Sequence, residues 1–198
     1  MRVIGGELRS RVIKSMPGLE VRPTPDRLRE SLFNVLSPRL SAGVVFADLY
    51  AGTGAVGIEA LSRGASHAVF VEQNRAAVRL IRENLRELDL EARARVHHGR
   101  ATAALQRLEA DIVFLDPPYA LDREYESALA ILGERAQAAS GENSAIEAAA
   151  SGVAKAPGLV IVQHSTRLAL ADCYGSLRRV RVLKQGDNAV SFFEPAGI

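Results

Sequence analysis

The chain has 198 residues, 47% of them apolar and 24% charged, which is the size and composition of one globular domain with a full-sized hydrophobic core. No apolar run approaches the roughly 20 residues that span a bilayer, and residues 1–6 carry a charge but no apolar stretch of the secretory type. A lone cysteine, Cys173, excludes an internal disulfide, so a cytoplasmic protein with a small, half-buried thiol is expected.

The net charge of +2 does not announce a nucleic-acid binder, but its distribution is uneven. Residues 1–40 hold eight cations (Arg2, Arg9, Arg11, Lys14, Arg22, Arg27, Arg29, Arg39) against four acids (Glu7, Glu20, Asp26, Glu30). Arg178, Arg179, Arg181 and Lys184 form a second cluster. Local excess of this kind serves phosphate binding, and equally describes a solvated face.

Residues 1–23 alternate short extended stretches with glycines and Pro17, and are read as a basic arm or small hairpin rather than core. A domain over residues 24–198 follows. Thr24 can cap a helix with Pro25 at its first position and Asp26 at its positive end. Leu28, Leu32, Phe33, Val35 and Leu36 supply its apolar face, and Pro38 ends it.

From residue 44 strands and helices alternate. Strand-like runs fall at 44–49, 68–71, 94–97, 112–115 and 159–162, and helix-like segments at 56–63, 75–88, 101–108 and 125–139. Short continuous apolar runs separated by helices predict a parallel, doubly wound α/β sheet covered on both faces. Residues 138–157, rich in Ala, Ser and Gly, read as a surface insertion with a short helical piece around 146–150. Two further strands, 179–183 and 189–193, flank Gln185-Gly186-Asp187-Asn188 and should form an antiparallel hairpin.

Three motifs carry chemistry. In Asp48-Leu49-Tyr50-Ala51-Gly52-Thr53-Gly54-Ala55-Val56-Gly57 a strand ends at an acid, a glycine turn follows and a helix begins. The glycines satisfy a dinucleotide fingerprint, which admits NAD. Asp48 would repel a pyrophosphate, however, and suits a cationic ligand such as S-adenosylmethionine. Glu72, about 20 residues past the first glycine, ends the next strand, where a carboxylate can accept from both hydroxyls of a ribose. Ile112-Val113-Phe114-Leu115 then runs into Asp116-Pro117-Pro118-Tyr119. Two prolines remove two N–H donors and fix φ, leaving a rigid turn rich in acceptors. The Asp116 carboxylate and Pro117 carbonyl can hold both hydrogens of an exocyclic amine and turn its lone pair towards an incoming methyl. Tyr119 can stack on a splayed-out base. All three acids stand at predicted strand carboxyl ends, where doubly wound sheets bind ligands. His97, His98 and His164 lack partners at metal spacing, so no metal is expected.

With these motifs placed, the chain resembles, end to end, the bacterial 16S rRNA guanine-N2 methyltransferase family. The resemblance runs through Arg2-Val3-Ile4-Gly5-Gly6, through Arg22-Pro23-Thr24-Pro25-Asp26-Arg27-Leu28-Arg29-Glu30-Ser31-Leu32-Phe33-Asn34, through Asp48 to Ala65, and through the Asp116 turn. It implies a Rossmann-like methyltransferase with a mostly parallel seven-stranded sheet and an antiparallel C-terminal hairpin. S-adenosylmethionine would lie against Asp48, Tyr50, Ala51, Gly52, Gly54, Glu72, Gln73 and the Ala101 backbone. Asp116, Pro117, Pro118 and Tyr119 would be catalytic. Arg2, Arg9, Arg11, Lys14, Arg22, Arg27 and Asn34 would contact RNA, the partner being 16S rRNA in a protein-containing small ribosomal subunit, met by a monomer. Arg100 stands where the family usually offers an acidic or amide residue near the adenine, and after the fifth strand, where the family often has an acid, the chain has Val162-Gln163-His164-Ser165. An adenine-N6 methyltransferase is the near alternative, and an NAD-binding oxidoreductase or a catalytically dead RNA-binding protein the distant ones.

Overall fold

A computed structural model of the chain describes residues 1–15, 26–118, 121–139 and 156–196. It divides into two units, Met1–Arg100 and Ala101–Ile198.

The first unit opens with a hairpin closed by an antiparallel bridge between Arg2 and Val12. Helix α1 (Asp26–Leu36) follows and buries Leu28, Leu32, Phe33 and Leu36, the spacing of one helical face, until a 3-10 turn containing Pro38 stops it. Strands β1 (Val45–Leu49), β2 (His67–Glu72) and β3 (Ala94–His98) are parallel in the order β3-β2-β1. Parallel neighbours require crossovers. Here they are α2 (Ala55–Ser62), buried along its whole length, and α3 (Arg75–Glu87), whose buried stripe includes Ala77, Leu80, Ile81, Asn84 and Leu85. Asn74 caps α3 by accepting from the N–H groups of Ala76 and Ala77.

The hairpin belongs to this core. Val3 and Ile13 are buried in one cluster with Ile58, Leu61, Phe70, Ile81 and Leu85. The expectation of an arm outside the core therefore holds for its hairpin shape and not for its burial. The reason is pattern length: each hairpin strand has two adjacent apolar residues of which one is buried, too little periodicity to register as a buried face.

The second unit contains α4 (Ala101–Leu105), β4 (Ile112–Leu115), α5 (Asp122–Ala139), β5 (Leu159–Ser165), β6 (Cys173–Tyr174), β7 (Leu177–Gln185) and β8 (Asn188–Pro195). Its strands run β4-β5-β8-β7-β6, with β4 and β5 parallel across the α5 crossover and the rest antiparallel. The β7–β8 hairpin turns on Gly186 and Asp187 between the paired Gln185 and Asn188, as expected, and Gly186 takes a φ of 57°.

The strand count and some element bounds differ from expectation. Among the described residues eight strands form instead of seven, because the two-residue β6 pairs with β7 in a stretch too short to show alternation. Helix α4 ends at Leu105, three residues short of the predicted 108, while α5 starts three residues early at Asp122. The cap at Thr24 and Pro25 and the 146–150 helical piece lie outside the described residues.

Candidate active site

The first candidate element is the turn between β1 and α2. Its backbone is held in an unusual shape, with φ of 66° at Tyr50, 56° at Gly52 and 79° at Gly54. A tyrosine in the left-handed region costs about 1–3 kcal/mol and marks functional loops. Asp48 is buried at 2% exposure, and its Oδ2 accepts the Gly57 N–H at 2.8 Å. That carboxylate therefore stitches the strand to the helix start. Gly57 is glycine for a packing reason, since a Cβ there would sit 2.3 Å from the buried Phe70 ring. Ala51 donates its N–H to the Val71 carbonyl, and Gly54 donates to Ala51, which closes the turn.

Glu72 stands half-buried at the carboxyl end of β2. Its Oε2 accepts the Gly52 N–H at 2.9 Å and its Oε1 accepts the Asn74 N–H at 2.7 Å. Each carboxylate oxygen keeps a second lone pair, so the group can still receive hydroxyl donors. Gln73 is exposed, its carbonyl bonded to the His98 ring at 3.0 Å. Asp48, Tyr50, Ala51, Gly52, Gly54, Glu72 and Gln73 thus share one rim of the first unit, whereas Ala101 opens α4 in the second.

Two residues that the sequence reading left without a role tie the hairpin to this rim. Glu59, fully buried on α2, accepts the Ile4 and Gly5 N–H groups at 2.8 Å each and the Arg63 Nε at 2.7 Å. Asn84, 1% exposed on α3, accepts the Lys14 N–H and donates to the carbonyls of Lys14 and Thr53. It joins the hairpin directly to the glycine turn. A polar residue on an apolar helix stripe was the available signal, because buried polar groups demand partners.

The basic residues sort by exposure. Arg2, Arg9, Arg11, Arg27 and Asn34 are exposed, while Lys14 pairs with Glu83 and Glu87. Arg2 donates to the Ser10 carbonyl and Arg11 to the Glu87 carbonyl. Arg29 is not a surface cation: it is 0% exposed, bonds the Arg2 carbonyl at 2.6 Å, and lies 3.9 Å from Glu59. Burial lowers its pKa. Arg22 lies outside the described residues.

The second candidate element belongs to the other unit. Strand β4, buried at all four positions, delivers Asp116 and Pro117 to its carboxyl end. Gln163, 2% exposed on β5, donates from Nε2 to Asp116 Oδ2 at 3.1 Å. Tyr125, 1% exposed on α5, donates its hydroxyl to the Pro117 carbonyl at 3.0 Å. Burial pushes the Asp116 carboxyl up to about 7. Pro118 is exposed and Tyr119 lies outside the described residues. Neither Tyr125 nor Gln163 was singled out as part of the site; the legible clue was a glutamine continuing an apolar strand run.

Elsewhere, His164 is buried, its ring bonded to the Ser165 carbonyl and the Ser191 hydroxyl, and burial lowers its pKa. Cys173 is exposed rather than half-buried, because β6 lies at the sheet edge. Among the described residues no group of three or more His, Cys, Asp or Glu is placed to hold a metal, and no helix is long and apolar enough to cross a membrane.

An acid-led glycine turn after one parallel strand and an acid-Pro-Pro turn after another define a Rossmann-like α/β methyltransferase. The solved structure of "Putative methyltransferase yhhF" from Escherichia coli has the same fold, with a TM-score of 0.78 and 29% identity over 100% of this chain and 99% of that one. An RNA methyltransferase from Salinibacter ruber, solved with S-adenosyl-L-homocysteine, shares the fold at a TM-score of 0.61 and 18% identity, over 89% of this chain and 95% of that one.

The chain belongs to the family described as "Conserved hypothetical protein 95", whose model matches residues 1–194. It is 31% identical to "Putative rRNA methyltransferase YlbH" of Bacillus subtilis over 100% of both chains. It is also 42% identical to "Ribosomal RNA small subunit methyltransferase D" of Escherichia coli K12, over 60% of each.

Proposed function

We propose that this protein transfers a methyl group from S-adenosylmethionine to the exocyclic N2 of a guanine in 16S rRNA, acting on a protein-containing small ribosomal subunit in the cytoplasm. The observation that carries the reading is the Asp116–Pro117 turn, its carboxylate bonded by Gln163 and its carbonyl by Tyr125. The family membership and the rRNA methyltransferases among its relatives support an rRNA substrate.

The residues present fit the methyl donor. Glu72 at the tip of β2 suits a ribose diol, and the positive-φ turn at Tyr50, Gly52 and Gly54 lets backbone approach a ligand closely. Asp48 and the Ala101 backbone complete the proposed binding set. When bound, S-adenosylmethionine supplies a methyl on a sulfonium, an electrophile that needs no metal.

Asp116 and the Pro117 carbonyl accept the two hydrogens of the amine. Held so, the nitrogen lone pair withdraws from the ring π system and gains nucleophilicity, and positive charge developing on nitrogen meets a carboxylate. This nitrogen would take the methyl of the bound donor, which leaves as a neutral thioether, and the proton shed by the methylated amine would pass to the Asp116 carboxylate or to water. Tyr119 stacks on the base, while Arg2, Arg9, Arg11, Lys14, Arg22, Arg27 and Asn34 engage the RNA backbone.

The test is tritiated-methyl transfer onto small subunits, and onto naked rRNA, from a strain lacking the enzyme, followed by nucleoside analysis. N2-methylguanosine is expected. Labelled N6-methyladenosine would overturn the base assignment, and tight NAD binding without S-adenosylhomocysteine binding would overturn the class of ligand.

A further inference from the structure

We propose that Tyr125 and Gln163 are positioning residues, each fixing one of the two acceptors that orient the amine. The inference rests on the functional reading above and deepens it.

A carbonyl oxygen has two lone pairs in its plane. The Tyr125 hydroxyl takes one on Pro117 at 3.0 Å, which leaves the other for a hydrogen of the amine and prevents the carbonyl from turning away. A carboxylate likewise has two oxygens, and Gln163 bonds Oδ2, directing Oδ1 to the amine. Both side chains are locked by burial, at 1% and 2% exposure. They come from different elements, α5 and β5, the latter paired with β4, so the turn is held by two separate elements. Proline makes this bracing necessary, because Pro117 and Pro118 have no N–H to anchor the turn through their own backbone.

The two braces differ in their consequences. Tyr125 bonds a neutral acceptor and acts on geometry alone. Gln163 bonds a titrating group, and its N–H favours the ionised carboxylate. Burial raises Asp116, and among the described residues no charged side chain contributes. Among the described residues it is bonded by Gln163 from β5 and, through Pro117, neighbours the Tyr125 hydroxyl from α5. His164, next along β5, is bonded to Ser165 and Ser191 instead.

The test uses the full-length protein carrying Tyr125→Phe or Gln163→Met, with single-turnover methyl transfer measured across pH, S-adenosylhomocysteine calorimetry, and urea midpoints to report the fold. Tyr125→Phe is expected to lower kcat about 10- to 100-fold, the range for misplaced reacting groups. KM and cofactor affinity should stay within about twofold, and the pH of half-maximal activity should not move. Gln163→Met is expected to raise that pH by about one unit, so that high pH restores part of the rate. Rate losses that merely follow the folded fraction, or a Gln163→Met profile parallel to wild type, overturn the proposal while leaving the functional reading intact. A wild type that labels adenosine overturns only the base assignment. A wild type that labels no RNA overturns both.

Discussion

Replacing Asp116 with Asn should separate the catalytic value of this carboxylate from its cost to the fold. Burial lifts its pKa from 3.8 to about 7, roughly three units. At about 1.36 kcal/mol per unit, ionising it in place costs the folded state about 4 kcal/mol. Because the folded pKa is the higher one, the folded protein holds this proton while the unfolded chain has already released it. Stability is therefore full below about pH 4, falls by about 1.4 kcal/mol per unit between about pH 4 and 7, and levels off above. Asparagine keeps an oxygen for the Gln163 donor and cannot ionise. The difference in unfolding free energy between wild type and Asp116→Asn should then shift by about 4 kcal/mol towards the variant from about pH 4 to about pH 8. Urea unfolding followed by circular dichroism at stepped pH measures it directly. Methyl transfer by the variant should fall at least 100-fold, since a neutral amide no longer opposes charge on the amine. A stability difference independent of pH would refute the argument, because it would mean that Asp116 is solvated in the folded state.

Glu59→Ala removes the acceptor for two hairpin N–H groups and takes from Arg29 a buried carboxylate, leaving it the exposed Asp26, so a loss of about 3–5 kcal/mol is expected, together with faster proteolysis within residues 1–15. Asn84→Leu unpairs the Lys14 backbone and the Thr53 carbonyl; it should cost about 2 kcal/mol in urea unfolding and weaken S-adenosylhomocysteine binding roughly fivefold by calorimetry. Gly57→Ala drives a methyl into the Phe70 ring and should lower stability by about 1–3 kcal/mol, with the displaced helix start weakening the cofactor as well. The same substitution at Gly43, where nothing lies within 4 Å, serves as its control and reports only the strain of a φ of 101°.

Much of the architecture was legible residue by residue. The runs ending at Leu49, Glu72 and Leu115, the α3 stripe, the glycine turn and the Gly186 hairpin are local patterns, and periodicity, proline and glycine act over a few residues. The acids Asp48, Glu72 and Asp116 could be placed at strand ends for the same reason. What each acid is bonded to could not be read. Gln163 meets Asp116 across 47 residues, Glu59 meets Gly5 across 54, and Asn84 meets Lys14 across 70. Those pairings exist because a chain packed against itself must satisfy most of the polar groups it buries, and the partner is chosen by three-dimensional proximity rather than by spacing. The same step carried Val3 and Ile13 into the core and turned Arg29 from a surface cation into a buried clasp. Local sequence determined where the chemistry stands, and tertiary packing decided what holds it there.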